Sequence, residues 1–385
     1  MTTLKIASLG QIKRADITFG DLTVMVGPQA TGKSITLQLL KLLVDTGYVQ
    51  EELRRYGMDW GGSLPEFFDL YFGEGMRSIW HQGHSGVTWN GKSVDMVALA
   101  KRKRKTDAEG LFFIPAQRVL ALRDGWPRPF TDYTAGDPFA VREYSEKLRN
   151  LLEREFTAEN LFPQEKRLKK AFRELLRKDV FANFQLRINK VRSQKRLVLG
   201  AGANGDTLPY MVWSAGQREF VPLLLGLYWL MPPTKVSRRQ EIDWVVIEEL
   251  EMGLHPIAIS VVMLMIFELL QRGYKVCLST HSPQVLECVW ALKRLKEHAA
   301  RPEALLDVFN VGRDQGLLEI ARNVMEKDVR VFCYDRAKQI TEDISDLETD
   351  MPSGVDGWGG LSEFSARVND AVARAVANHA AKSGT

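Results

Sequence analysis

Eight residues near the start of the chain indicate phosphate-binding chemistry. The segment GPQATGKS, residues 27–34, has glycines at its first and sixth positions and ends in Lys33 and Ser34. Glycines let backbone N–H groups close around a phosphate at the start of a helix. In this pattern the lysine bridges the β- and γ-phosphates of a nucleotide, and the serine hydroxyl ligates Mg²⁺. The residues expected to contact the nucleotide in this segment, which we call the glycine loop, are Gly27, Gln29, Thr31, Gly32, Lys33 and Ser34.

A pair of carboxylates stands later in the chain. Glu248 and Glu249 directly follow the apolar run 244–247. A buried strand that ends in two carboxylates can place one beside Mg²⁺ and the other beside the attacking water. We therefore expect Glu248 to ligate the metal and Glu249 to act as the general base. Alone, such a pair is more often part of a solvated loop, and it is the glycine loop that favours the functional interpretation.

Two further segments suit the surroundings of a phosphate group. The SAGQRE segment, residues 214–219, precedes a predicted helix, and the N–H groups at a helix start bind anions. His281, in STHS, ends the strand that follows the carboxylate pair, where it can hydrogen-bond a γ-phosphate. Taken singly, SAGQRE is also an ordinary capped helix start, and a lone histidine is usually structural.

The elements between these segments predict an α/β fold. Apolar periodicity and turn residues indicate a βαβ series around the glycine loop and the carboxylate pair. We predict strands over residues 4–7, 15–19, 22–26, 111–116, 244–247, 275–279, 305–311 and 329–334, with a strand pair over 184–199. We predict helices over residues 34–43, 217–230, 256–272 and 361–379, and two more within 139–178 that are separated by Pro163.

These elements suggest three parts of the chain. Residues 1–118 would form the first half of the core, with an N-terminal antiparallel β part and a peripheral arm at 45–110 that is rich in Trp, Gly and His. Residues 119–205 would form a basic insertion of helices and a β-hairpin. Residues 206–385 would form the second half of the core, with a C-terminal helix.

Composition narrows the class of protein. With 45% hydrophobic and 26% charged residues, the 385-residue chain has the composition of an ordinary globular protein. Its three cysteines have no paired spacing, which favours a reducing cytoplasm. The first residues alternate charged and apolar types, unlike a signal peptide, and the apolar run at 220–231 is too short to span a bilayer. We expect a soluble, cytoplasmic protein without a membrane partner.

Positive charge is concentrated in one region. Residues 141–200 hold 16 lysines and arginines against 8 acidic residues, although the whole chain carries only +4. Such an insertion suits binding to a polyanion such as nucleic acid, or to an acidic protein partner. A solvated helical face explains it equally well. The run KRKRK at 101–105 is read as a solvated loop.

The order GPQATGKS, SAGQRE, VVIEELEMGLHP and STHSP resembles the ABC-type ATPases of the RecF/SMC/OLD group. More narrowly, it is similar to the compact ATPase subunits of bacterial anti-phage defence systems of the PARIS and Septu kinds. The resemblance extends from the N-terminal strands to GLSEF at 360–364. It implies an ABC-type P-loop core with a mixed sheet, ATP and Mg²⁺ as cofactors, and hydrolysis in a composite site between two protomers of a homodimer or larger even-numbered oligomer.

The resemblance also implies roles for particular residues. Ser214, Gly216 and Gln217 would act in trans on ATP held by the glycine loop of a second copy. His281 would be the switch histidine that senses the γ-phosphate. Gln117, in IPAQR, falls where the family's lid glutamine often stands. Two departures from the pattern are Leu250, in place of a proline, and Ala215, in place of the first glycine of the signature.

Two functions follow from the resemblance. The first is an ATPase that acts as sensor or scaffold of an anti-phage system and controls a separate effector, such as a Toprim-type nuclease. Residues 282–385 carry no Glu plus Asp-x-Asp metal pattern, so a nuclease would have to be another chain. The alternative is a RecF-like ATPase of DNA repair or recombination that binds DNA through the basic insertion. The nucleotide-binding subunit of a transporter is disfavoured by the arm and the insertion.

Overall fold

The computed structural model describes residues 1–101, 108–156, 160–191, 194–201, 206–232, 238–347 and 372. The predicted C-terminal helix at 361–379 lies outside the described residues apart from residue 372, as do the GLSEF segment and all but the first residue of KRKRK. No helix in the described ranges combines the length and the apolar character needed to cross a bilayer.

The described chain is an α/β fold, as predicted. Its strands in chain order are β1 (Thr2–Leu9), β2 (Ile12–Phe19), β3 (Leu22–Val26), β4 (Gly86–Trp89), β5 (Lys92–Ser93), β6 (Leu111–Ile114), β7 (Leu122–Arg123), β8 (Trp126–Pro127), β9 (Asn160–Phe162), β10 (Phe184–Val191), β11 (Gln194–Ala201), β12 (Thr207–Pro209), β13 (Trp244–Ile247), β14 (Lys275–Ser279), β15 (Val329–Asp335) and β16 (Ile340–Asp343). Its helices are α1 (Lys33–Arg55), α2 (Leu64–Phe72), α3 (Met96–Lys101), α4 (Phe139–Asn150), α5 (Lys170–Asp179), α6 (Ala215–Leu230), α7 (Pro256–Gln271), α8 (Pro283–Glu297), α9 (Pro302–Val308) and α10 (Gln315–Val324).

One large mixed sheet organises these elements. Its strand order is β5-β4-β1-β2-β16-β15-β3-β14-β13-β6, and the five strands from β15 to β6 run parallel. The parallel strands β3, β6 and β13 are buried along their whole length, whereas β1 and β2 alternate buried and more exposed residues. Strands covered on both faces need continuous apolar sequence, and strands covered on one face need alternation.

The two faces of the sheet belong to two hydrophobic cores. Successive residues of β13 show this division, because side chains alternate across a strand. Val245 and Ile247 pack in one core with residues of α6, α7 and α8, while Trp244 and Val246 pack in the other with residues of α1 and α2. Helices on both faces therefore fix the central strands and the loops that leave them.

Backbone pairing aligns four of the parallel strands in one row. Val24 of β3 lies opposite Leu278 of β14, which lies opposite Ile247 of β13, which lies opposite Ile114 of β6. Since the strands run the same way, the segments that follow this row all emerge at one edge of the sheet. We call this the carboxyl edge.

The described residues of the segment 45–110, namely 45–101 and 108–110, differ from the predicted peripheral arm. Helix α1 does not end at residue 43; it kinks at Asp45 and continues to Arg55. The carboxylate of Asp45 accepts hydrogen bonds from the N–H groups of Gly110 and Leu111 at 2.8 and 3.0 Å. Trp60 is buried, and β4 pairs with β1 and widens the main sheet. The aromatic residues that suggested an arm are packing residues of the core.

A buried ionic cluster fixes the middle of α1. Lys41 is fully buried, and its Nζ lies 2.9 Å from Asp45, 2.9 Å from Glu109 and 3.3 Å from Glu143. Although burial opposes ionisation, Lys41 and Lys147 lower the pKa of Glu109 to about 2. Burial, together with the charge of Glu109, raises the pKa of Glu143 to about 8. A buried lysine with several carboxylate partners ties α1, the start of β6 and α4 together.

The predicted insertion contains both helices and strands. The expected hairpin over 184–199 is β10 and β11, in a smaller sheet of order β12-β11-β10-β9. Its basic residues are partly paired within the fold: Nζ of Lys169 lies 2.6 Å from Glu268, and Arg167 lies 2.8 Å from Glu155. Part of the excess positive charge of the insertion is thereby neutralised.

One predicted strand is wrong. Residues predicted as a strand at 305–311 begin within helix α9, which starts at Pro302. Proline at the first helical position and Glu303 in the first turn both favour a helix start. The adjacent residues Leu305 and Leu306 are both buried, which fits a helical face and not the alternation of a half-exposed strand. The strand predicted at 329–334 is confirmed as β15.

Candidate active site

The glycine loop joins β3 to α1 at the carboxyl edge. Gly27, Ala30 and Gly32 all have positive φ, and Gly32 caps the helix. A Cβ on Gly27 would lie 2.5 Å from the carbonyl oxygen of Tyr334, and one on Gly32 would lie 2.4 Å from the side chain of Ile12. Both glycines are therefore required by the turn and by its close packing on β15 and β2.

Lys33 closes the glycine loop on itself. Its buried Nζ donates hydrogen bonds to the carbonyl oxygens of Gly27 and Pro28, at 2.7 and 2.8 Å. Burial lowers the pKa of Lys33 to about 8, against the opposing charges of Glu249, Cys333, Glu251 and Glu248. The ammonium group is thus held where an incoming anion would stabilise its charged form. The next residue, Ser34, is exposed.

The other named residues of the glycine loop have ordinary surroundings. Gln29 is exposed, and the Thr31 hydroxyl donates to the Pro28 carbonyl at 2.8 Å. The Thr31–Pro28 hydrogen bond stabilises the turn of the glycine loop.

Glu248 is a buried carboxylate with an unused acceptor. Its Oε2 accepts a hydrogen bond from the Ala116 N–H at 3.1 Å, while its Oε1 has no hydrogen-bond partner among the described residues. Burial raises the pKa of Glu248, and the Ala116 N–H and the nearby Ser34 hydroxyl oppose that rise. A hydroxyl beside a carboxylate oxygen that lacks a partner suits a hard cation such as Mg²⁺.

A cation at this position needs further oxygen ligands from elsewhere. In the part of the chain that the structure describes, no group of three or more His, Cys, Asp or Glu side chains forms a metal site. Mg²⁺ commonly has only one or two protein ligands and takes the rest from phosphate oxygens and water. Ser34 and Glu248 fit that pattern.

Glu249 occupies an unusual backbone conformation beside His281. Its φ is +43°, its N–H donates to the Ser279 hydroxyl at 3.1 Å, and its Oε1 lies 3.4 Å from Nε2 of His281. The hydrogen bond from His281 is the main cause that lowers the pKa of Glu249, and the positive charge of Lys33 also contributes. A partly exposed, ionised carboxylate can orient a water molecule and accept its proton.

The segment around His281 links the neighbouring strands. The N–H of Thr280 donates to the Met25 carbonyl at 3.1 Å, and the N–H of His281 donates to Oε1 of Glu251. The end of β14 is therefore hydrogen-bonded to β3 on one side and to the loop after β13 on the other. His281 lies between the glycine loop and the carboxylate pair.

Arg118 is a residue of this region that the sequence analysis did not identify. It is fully buried, and its Nη1 donates to the carbonyl oxygens of Glu248 and Glu249 at 3.1 and 3.2 Å. The available signal was an arginine immediately after Gln117 at the end of a wholly apolar strand. Gln117 itself is exposed and begins a short 3₁₀ turn.

The SAGQRE segment satisfies its own polar groups. Ser214 caps α6: its hydroxyl accepts from the Gln217 N–H at 3.2 Å, and the Gln217 side chain accepts from the Ser214 N–H at 3.0 Å. This reciprocal pair is a capping box. A Cβ on Gly216 would lie 3.0 Å from the carbonyl oxygen of Gly253, so the helix start rests on the loop after the carboxylate pair. Within the described ranges, no hydrogen bond joins this segment to the glycine loop.

Residues 130–287 match the family described as "AAA domain, putative AbiEii toxin, Type IV TA system". That range holds the SAGQRE segment, the carboxylate pair and His281, but not the glycine loop. A search of curated protein sequences gives no match.

Solved structures align at low identity. The SMC head bound to the C-winged helix domain of ScpA aligns with 89% of this chain and 96% of its own, with 12% identity and a TM-score of 0.41. The SMC head domain from Thermotoga maritima aligns with 74% and 90%, at 12% identity and 0.31. The dimeric structure of MJ0796, a bacterial ABC transporter cassette, aligns with 89% and 99%, at 12% identity and 0.35. These values describe loose similarities.

Sequence and architecture agree on the class of the fold. The family match covers the part of the chain in which three of the four segments lie. The glycine loop is outside the match, yet its strand β3 belongs to the same parallel sheet, with β14 between it and β13. The chain therefore has a mixed α/β fold in which the glycine loop, the carboxylate pair and His281 follow neighbouring parallel strands.

Proposed function

We propose that the protein binds ATP with Mg²⁺ at the carboxyl edge of its sheet and hydrolyses it in a site completed by a second copy. The observation that carries the proposal is the grouping of Lys33, Glu248 and Glu249 there. Lys33 follows β3 and the two glutamates follow β13, both in the parallel part of the sheet, and Oε1 of Glu249 lies 3.4 Å from Nε2 of His281. A buried cation, a buried carboxylate and an ionised carboxylate are the groups that phosphoryl transfer to water uses.

Each of these side chains has a separate task. Lys33 would leave the carbonyl oxygens of the glycine loop and bind the β- and γ-phosphates. Ser34 and Glu248 would hold Mg²⁺, which neutralises charge on the phosphate oxygens. Glu249 would orient the attacking water and accept its proton, and His281 would donate a hydrogen bond to the γ-phosphate. Gln117 would close over the nucleotide when it binds.

The need for a second copy rests on two observations. Ser214 and Ala215 at the start of α6 are exposed, so this end of the helix is accessible to another molecule. Large apolar side chains next to the site elements are 51% to 69% exposed, namely Leu120, Met211, Val212 and Ile257. Exposed apolar groups beside polar site residues favour a protein interface. In that interface Ser214, Gly216 and Gln217 would contact ATP held by the other copy.

We further infer that the ATPase serves an anti-phage defence system, in which it senses or scaffolds and controls a separate effector. The description of the matching family names a putative toxin of a toxin–antitoxin system, which supports a pairing of two proteins. A RecF-like role would draw on the basic insertion, but Lys169 there already contacts Glu268 and Gln271, at 2.6 and 3.1 Å. The description of the matching family is the observation that favours the defence role.

The first prediction concerns the pH dependence of nucleotide binding. Phosphate stabilises the charged form of Lys33, so binding takes up a proton once the free lysine begins to lose it. Because the pKa of free Lys33 is about 8, affinity for a non-hydrolysable ATP analogue with Mg²⁺ should fall above that pH. The fall should approach about tenfold per pH unit. Equilibrium binding between pH 7 and 9.5 measures it.

Two variants control this measurement. Lys33→Arg keeps its charge across the whole range, so whatever affinity it retains should not change with pH. Lys33→Ala should lose binding. Wild-type affinity in Lys33→Ala would show that the glycine loop does not hold the phosphates.

A second prediction separates hydrolysis from binding. Glu249→Gln keeps the shape and hydrogen bonds of the side chain but removes the carboxylate. ATP should still bind, because Lys33, Ser34 and Glu248 are unchanged, whereas hydrolysis should fall by about 10² to 10⁴-fold. Paired copies with ATP bound should then accumulate. Unchanged turnover in this variant would exclude Glu249 as the base.

A third prediction tests the biological role. Phage should form fewer plaques on cells that carry this gene together with its genomic neighbour than on cells that carry either gene alone. Lys33→Ala should abolish the protection. If no protection is seen, and the gene instead restores survival of repair-deficient cells after DNA damage, the RecF-like role is correct.

A further inference from the structure

One buried arginine touches both segments that the proposed mechanism has to coordinate. Besides its two bonds from Nη1, Arg118 donates from Nη2 to the Glu249 carbonyl at 3.2 Å and approaches the Met252 carbonyl at 3.4 Å. A single guanidinium group thus contacts several carbonyl oxygens of the turn that follows β13. Its planar fork suits several acceptors at once, which a lysine cannot match.

The opposite side of Arg118 faces the SAGQRE segment. Its Nε donates to the Glu219 carbonyl at 3.3 Å and lies 3.6 Å from Oε2 of Glu219, which has no hydrogen-bond partner among the described residues. Burial raises the pKa of Glu219, and the charge of Arg118 opposes the rise. The two charges attract at a separation longer than a hydrogen bond, so the contact has room to tighten.

A second contact runs alongside the first. The Gly216 backbone packs against the Gly253 carbonyl, and a Cβ on Gly253 would lie 2.9 Å from Cγ of Glu219. The start of α6 and the loop after Glu249 therefore have little space to move independently. A displacement of α6 would therefore move this loop and Arg118 at the same time.

The residue at the other end of this connection is conformationally strained. A φ of +43° is unfavourable for glutamate, and such residues persist only where their surroundings hold them. Arg118 holds the Glu249 carbonyl, and Ser279 holds its N–H. The direction in which the Glu249 carboxylate points thus depends on both.

We propose that Arg118 is a positioning residue that makes the placement of Glu249 depend on the placement of the SAGQRE segment in the same copy. The inference rests on the proposed function. In a pair, this segment closes on ATP held by the partner, while Glu249 acts on ATP held by its own glycine loop. Arg118 would therefore let closure at one site set the catalytic carboxylate at the other, and the two sites would hydrolyse ATP cooperatively.

The test compares two fully buried arginines. Arg118→Lys keeps the charge but cannot span the turn and α6, so kcat should fall by about 10²-fold while analogue affinity and KM stay within about twofold. Arg142→Lys is the matched control, because Arg142 is equally buried but donates to the Leu70 carbonyl of α2 and not to the turn after β13. It should lower thermal stability and leave kcat unchanged. If wild type hydrolyses ATP and both variants keep its kcat, Arg118 has only a structural role and the inference fails.

Hydrogen exchange without nucleotide gives a readout that does not need activity. Arg118→Lys and Glu219→Gln should both speed exchange of amides 249–253, and Arg142→Lys should not. Glu219→Gln should also reduce the Hill coefficient for ATP. Wild type that neither binds nor hydrolyses ATP would refute the proposed function, whereas exchange at 249–253 that is unchanged in Arg118→Lys would refute the positioning role.

Discussion

Parallel backbone pairing between β3, β14, β13 and β6 is the constraint on which the candidate site depends. The row that runs through Val24, Leu278, Ile247 and Ile114 sets where each following segment leaves the sheet. Glu248 comes one residue after this row, while the glycine loop, His281 and Gln117 each begin three residues after it. Backbone pairing alone therefore brings residues that are far apart in sequence to the same edge of the sheet. Direct bonds between their side chains are not needed for this.

Burial of charge at the carboxyl edge is the second constraint. Lys33, Glu248 and Arg118 are all buried, and each is compensated by backbone groups: carbonyl oxygens for the two cations and an N–H for the carboxylate. Such compensation is incomplete for Lys33, whose pKa falls to about 8, and for Glu248, which keeps one oxygen without a partner. A polyanion with a divalent cation would complete both, which is why we propose ATP with Mg²⁺.

The sequence predicts the elements that are determined by burial and by local hydrogen bonds. The fully buried strands β3 and β13 and the capped helix α6 were predicted from sequence because burial and capping leave direct signals. Continuation of α1 beyond Asp45 was not predicted, since the bonds that hold the kink come from Gly110 and Leu111. Arg118 was missed for a similar reason: its partners are carbonyl groups 101 to 134 residues away, and carbonyl groups have no sequence signature.

The central claim is that each ATP site combines the glycine loop of one copy with the SAGQRE segment of another. Mixing Lys33→Ala chains with Ser214→Arg chains tests it directly. A mixed pair contains one site with both changes and one site with neither. We expect that neither variant alone forms pairs when Mg²⁺ and a non-hydrolysable ATP analogue are added, whereas the mixture forms mixed pairs that hold one analogue each, as counted by native mass spectrometry. Variants that pair with themselves as readily as with each other, or an analogue that binds only single chains in the mixture, would contradict this claim.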